Sequence, residues 1–242
     1  MHLIQVAHQA GASGLEEVRS AASSGRHMQN ARRDLMVPFL TGTTFLDVYW
    51  TDIPLWNRDE QTLQLEQFPF LLPHELFAKF LHAAGPDNFQ IGYDNPHLEE
   101  LRQQYCREFQ IDPERFVGLD IHGDGVAHQT SGSVEVFSWN FLNHASGGER
   151  FLSAVVDKQY CCQCGCSGRH TTDQIMRVLS WSCNCILNGD YPTSKDDGTA
   201  WGKFDKERRS RRGSLGGWGG IRQIRGDWPW HKQIFPVPGL EQ

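Results

Sequence analysis

Apolar positions along the chain fall into three regimes. Up to about residue 45 they are sparse among Ala, Gly, Ser, Gln and Arg, with one weak helical stretch around LEEVRSAASSGRHMQNARRDL. This part reads as a flexible N-terminal arm. From TFLDVYWTDIPLW onward, Phe45, Leu46, Val48, Trp50, Leu55 and Trp56 supply core or interface material, and folding is expected to begin there. FPFLLPHELFAKFLHAAG predicts an extended lead-in and a short helix. Pro73 suits its first turn, Leu76, Phe77, Phe80 and Leu81 form its buried stripe, and Gly85 lies just past its end. NPHLEELRQQYCREFQ predicts a second helix, with Asn95 as N-cap and Pro96 at the first helical position. Leu98, Leu101, Tyr105 and Phe109 fall at helical spacing, and Cys106 beside them reads as a small core residue.

Beyond Asp112-Pro113 the period changes from 3.6 to 2. RFVGLDIHGDG puts Val117, Leu119 and Ile121 on one face, and SVEVFSWNFL and ERFLSAVVDKQY follow as two more strands joined by Gly/Ser-rich turns such as NHASGG. TTDQIMRVLSWSCNCIL returns to helical spacing, with Thr171 or Thr172 as cap, Asp173 in the first turn and Gly189 as the stop. After a polar loop, GIRQIRGDWPWHKQIFPVPG reads as a strand running into a short helix or turn. The expected class is α/β (α+β): a flexible arm over 1–45, a helical region over 46–112, and a mixed α/β core over 113–242.

Composition narrows the function without choosing it. At 242 residues the chain can bury a core without covalent staples, and 39% hydrophobic with 21% charged residues excludes wholesale disorder. A net charge of -6 gives no overall nucleic-acid footprint. MHLIQVAHQAGASG lacks the continuous apolar stretch of a secretory signal, and no run approaches the roughly 18 apolar residues that span a bilayer. The expectation is a soluble, intracellular protein with no membrane partner. In that reducing setting, clustered cysteines are metal ligands or catalytic thiols more often than disulfides, and an odd count of seven agrees.

Three constellations carry candidate chemistry. Alternation on GLDIHGDG puts Asp120, His122 and Asp124 opposite the apolar face, with His128 shortly after; they are either a divalent-metal site or the solvent face of a strand ending in a Gly-Asp-Gly turn. In CCQCGCSGRH, Cys161 and Cys164 form a CxxC, Cys166 follows, and His170 lies four residues on, so a Cys3His zinc site could close locally. Cys183 and Cys185 point roughly 200° apart on a helix. At most one of them joins the cluster, and the plain alternative makes them core thiols. From Lys203 to Lys232 nine Lys/Arg face three acids, interleaved with Trp218, Trp228 and Trp230. Arg208, Arg209, Arg211 and Arg212 there are candidate contacts to DNA or RNA phosphates, against a solvated loop as the alternative.

IPLW, FPFLLPHELF, GLDIHGDGVAHQ, SVEVFSWN, CCQCGCSGRHT, NGDYPTSKDDGTAW and IRGDWPWHKQIFPVPG resemble, in that order, a large family found in many copies in dinoflagellate algal genomes, with HGDGV and RGDW as signatures. The resemblance covers roughly residues 45 to 242 and comes with no established activity. Copy number in such a family implies descent from a mobile element, and the order of elements is similar to a ribonuclease-H-like transposase core. Read that way, Asp124 and Asp227, with Asp120 as substitute for Asp124, would hold Mg2+ for phosphoryl transfer. Such a core needs a third acidic residue on a later helix, so the expectation is a truncated or inactive core that is still nucleic-acid-associated. The rival expectation is a non-enzymatic, zinc-stabilised interaction module.

Overall fold

The structure, a computed structural model, describes residues 47–84, 96–127, 132–141, 150–203, 205–226, 230, 231 and 234. The chain divides after Asp47, and the fold described is that of the part from Val48 onward. The N-terminal arm expected over 1–45 lies outside the described residues.

The fold opens with a hairpin, β1 (Tyr49–Asn57) and β2 (Thr62–Phe70), paired antiparallel from Tyr49↔Phe70 to Asn57↔Thr62. This departs from the helical reading of 46–112. Asn57 makes the turn, its side-chain oxygen accepting from the Asp59 and Glu60 amides at 3.0 and 3.1 Å, with Gln61 at positive φ. Tyr49, Ile53, Phe68 and Phe70 face the core, whereas Trp50 and Leu65 face out. Two helices follow as the spacing predicts, α1 (Pro73–Ala84) and α2 (Pro96–Glu108). Among the described side chains of α2 the buried one is Cys106, packed with Ile111 and Phe116; Leu101, and Phe109 just past the helix, are exposed. Asn95, expected as its N-cap, lies outside the described residues.

The predicted meander is present as β3 (Phe116–Ala127), β4 (Ser133–Phe141) and β5 (Phe151–Asp157), antiparallel throughout. Helix α3 (Arg169–Asn188) then crosses over, the five-residue helix α4 (Lys206–Ser210) follows, and β6 (Trp218–Arg225) returns parallel to β3. The result is a mixed α/β fold with a four-stranded sheet in the order β5-β4-β3-β6 beside the two-stranded hairpin. A register shift between Leu119 and Asp120 leaves Arg222 as the extra residue on β6.

Helix α3 is the hub. Its stripe of Ile175, Val178, Leu179, Ser182, Cys183 and Ile186 is buried at i, i+3, i+4 spacing. Ile175, Val178 and Leu179 pack against the hairpin core, while Cys183 and Ile186 join Phe77 and Leu81 of α1 and Val117, Leu119 and Trp139 of the sheet. Gly189 ends the helix at φ 73, its amide bonding back to the Cys185 and Ile186 carbonyls. The start differs from expectation. Gly168 is the N-cap, and Thr171 works across space instead, accepting from the Cys162 amide at 3.0 Å and donating to the Pro54 carbonyl at 2.6 Å. Among the described residues no helix is long and apolar enough to cross a membrane.

Candidate metal centre

The segment 161–170 is the turn between β5 and α3. Asp157 caps a short 3-10 turn over Lys158–Tyr160, and Cys161 leaves it in an extended conformation (φ -69, ψ 149). Extended backbone sends neighbouring side chains to opposite sides. Cys161 therefore goes into the hairpin core, where burial pushes its thiol up to about 12, with the Glu135 charge adding to the effect. Cys162 turns the other way. Gly165, Ser167 and Gly168 adopt positive φ, and the Gly168 amide closes onto the Cys162 carbonyl at 3.1 Å. That fold-back brings Cys164, Cys166 and the first-turn residue His170 around Cys162.

The sulfurs of Cys162, Cys164 and Cys166 lie 3.3, 3.4 and 3.6 Å from His170 Nδ1, and all four ligand atoms lie within 4.8 Å of one another. At Zn–S of about 2.3 Å and Zn–N of about 2.0 Å, a regular tetrahedron separates S and N ligands by roughly 3.5 Å. The three S–N edges match that value. Cys162, Cys164, Cys166 and His170 form a set that can hold a metal ion, and among the described residues it is the one such group. Burial raises the Cys162 thiol to about 11. At Cys166 burial acts upward too, but the His170 backbone amide and the neighbouring sulfurs outweigh it and bring that thiol down to about 7. A thiol so lowered is already half-way to the thiolate that a metal binds.

The CxxC reading is thus corrected at one position: Cys161 is a core thiol and Cys162 takes its place. The missed signal was parity, since 162, 164 and 166 alternate whereas 161 and 164 do not. Cys183 and Cys185 are both buried core thiols, each raised to about 12 by burial.

Among the described residues the carboxylates do not assemble a comparable set. Asp120 is 1% exposed, and both its oxygens are taken: Arg222 Nε and Nη2 lie at 3.0 and 2.7 Å, and Arg225 Nη2 at 3.0 Å. The strand bulge delivers Arg222 to that place. Two guanidinium groups beside one carboxylate repel a divalent cation, so Asp120 is an ion-pair anchor rather than a metal ligand. His122 is buried against Asn140, and burial lowers its pKa. Asp124 is exposed, and Asp227 and His128 lie outside the described residues.

The glycines of the two signature motifs have a packing role instead. A Cβ on Gly123 would lie 1.7 Å from Trp230 Cε2, and one on Gly226 would lie 2.4 Å from Trp230 Cε3. Gly123 and Gly226 together make the seat for a core tryptophan.

The basic run is likewise partly internal. Arg208 is buried and holds Glu75 through Nε and Nη2 at 2.8 and 3.1 Å, while Arg211 reaches the same carboxylate at 2.8 Å. These two are corrected from phosphate contacts to structural ion pairs, because Glu75 is itself 2% exposed and demands compensation. Arg209 and Arg212 are exposed. Comparison of the chain with protein-family models, with curated proteins and with solved structures gave no match.

Proposed function

We propose that the chain is a non-enzymatic protein-interaction module in which Cys162, Cys164, Cys166 and His170 bind one structural zinc ion. The observation that carries this reading is the match of the three S–N separations to a tetrahedral edge. Zinc suits a set of three thiolates and one imidazole, and four protein ligands leave no open position for a substrate, as in structural sites. The ion would join the end of β5 to the first turn of α3. Thr171 carries the restraint on to β1 through the Pro54 carbonyl.

An interaction role is supported by what lies beside the cluster. A recess of about 410 Å³ is lined by Glu135, Lys158, Cys162, Gln163 and Gly168 among others. Glu135 gives one oxygen to Lys158 at 3.1 Å, and its other oxygen is buried with no hydrogen-bond partner among the described residues. A partner group that donates a hydrogen bond there would satisfy it.

A second reading keeps the mobile-element descent and nucleic-acid association, with phosphate contacts reduced to the exposed Arg209 and Arg212. It predicts binding that falls steeply with salt, and a flat salt response removes it. For the zinc reading the test is metal analysis of the purified full chain with thiol titration. One zinc per chain, with Cys164 and Cys166 protected from the thiol reagent until a chelator is added, is expected. Absence of zinc, with Cys164 and Cys166 titratable before any chelator, contradicts it.

A further inference from the structure

We infer that Cys164 and Cys166 form an oxidation pair, in which the Cys164 thiolate is oxidised by hydrogen peroxide and Cys166 resolves the product as a disulfide. The metal-release consequence rests on the zinc reading; the bond itself rests on the sulfur positions alone. Exposure separates the three sulfurs. Cys162 is buried, Cys166 half-buried and Cys164 exposed, so Cys164 is the one that a small oxidant in solvent reaches first. Access to the oxidant is what selects Cys164.

The resolving thiol is close at hand. With every ligand atom within 4.8 Å of the others, a bond of about 2.0 Å requires a closing movement of roughly 3 Å or less. The loop can make it. Gly165, between the two cysteines, sits at φ +94, and among the described residues nothing lies within 4 Å of where its Cβ would be. Cys162 is held instead, its amide donating to Thr171 Oγ1 and its carbonyl accepting from Gly168.

The chemistry balances. Cys164 thiolate attacks one peroxide oxygen, an S–O bond forms, the O–O bond breaks, and the departing hydroxide takes a proton to become water. Cys166 thiolate then attacks that sulfur, the S–S bond forms, and the S–O bond breaks with loss of a second protonated hydroxide as water. Two thiolates lose two electrons, the peroxide gains them, and two protons come from solvent. A zinc ion held by the four residues would keep only Cys162 and His170 as ligands once that bond forms, and would be released. A disulfide spanning a single residue is strained and readily reduced, so the change is reversible by a dithiol.

The experiment treats the zinc-loaded full chain with hydrogen peroxide, reading zinc with a chromogenic chelator and cysteine state by alkylation and peptide mass mapping. One zinc per chain should leave in step with a Cys164–Cys166 disulfide, and dithiothreitol with added zinc should restore the starting state. Cys161→Ser, outside the set, should behave as the parent does. In Cys166→Ser the intermediate should persist as a Cys164 sulfenic acid trapped by dimedone. Zinc and free thiols surviving the peroxide, a disulfide from Cys162, or Cys164 passing to sulfinic acid with no disulfide would each overturn the inference. A chain that carries no zinc yet forms the Cys164–Cys166 bond contradicts the zinc reading and leaves the oxidation pair standing.

Discussion

Replacing Gly123 with alanine tests whether HGDG is a catalytic motif or a seat for Trp230. The added Cβ would lie at 1.7, 1.8 and 2.2 Å from three atoms of the indole, against an ordinary carbon contact of about 3.5–4.0 Å. The ring must retreat by roughly 2 Å or leave. Trp230 is 2% exposed, within a core cluster that includes Phe137 and Val156. If the core yields around a displaced ring, the overpacking costs about 1–3 kcal/mol. If the indole is expelled, the cost approaches the about 3–5 kcal/mol of a buried Trp→Ala truncation. In a Trp230→Ala background the obstruction is gone, and Gly123→Ala should cost little. Urea unfolding of the four proteins in the cycle, followed by far-UV circular dichroism, reads the coupling directly. A Gly123→Ala penalty under about 0.5 kcal/mol, or one of equal size in both backgrounds, would refute the argument.

Glu75→Ala should destabilise the fold by about 3–5 kcal/mol in urea, because it removes the close carboxylate partner of the buried Arg208 and leaves it the longer contact to Asp205 at 3.6 Å; a loss below about 1 kcal/mol would show that the pair is not internal. His74, buried against Ser182, has its pKa lowered to about 3 by burial and by the Arg208 and Arg211 charges. Its folded value lies below its unfolded value of about 6.5, so its contribution to stability is full above pH 6.5 and falls as pH drops toward 3, by up to about 1.4 kcal/mol per pH unit. His74→Asn should flatten that part of the stability-pH curve, and an unchanged slope would count against a neutral buried imidazole.

Local periodicity made much of the fold legible. The stripe of α3, its stop at Gly189 and the β3–β5 meander all follow from repeats short enough to read along the chain. The β1–β2 hairpin was obscured because both of its faces carry apolar residues, with Leu63 and Leu65 outward and Phe68 and Phe70 inward, so no clean alternation shows. At the metal centre three of four ligands were readable from composition and proximity, while the choice between Cys161 and Cys162 depended on where the extended segment begins. The charge assignments failed for a different reason. Asp120 and Arg222 are 102 residues apart, and Glu75 and Arg208 are 133 apart. Nothing local announces that an exposed-looking arginine will be spent on a buried acid.

The most direct test of the account compares zinc content in Cys161→Ser and Cys162→Ser, measured by inductively coupled plasma mass spectrometry after exhaustive dialysis. Neighbouring cysteines with opposite orientations should give opposite results: Cys161→Ser retains one zinc per chain, and Cys162→Ser loses it. Equal retention in both, or loss in Cys161→Ser with retention in Cys162→Ser, would contradict a centre built from Cys162, Cys164, Cys166 and His170.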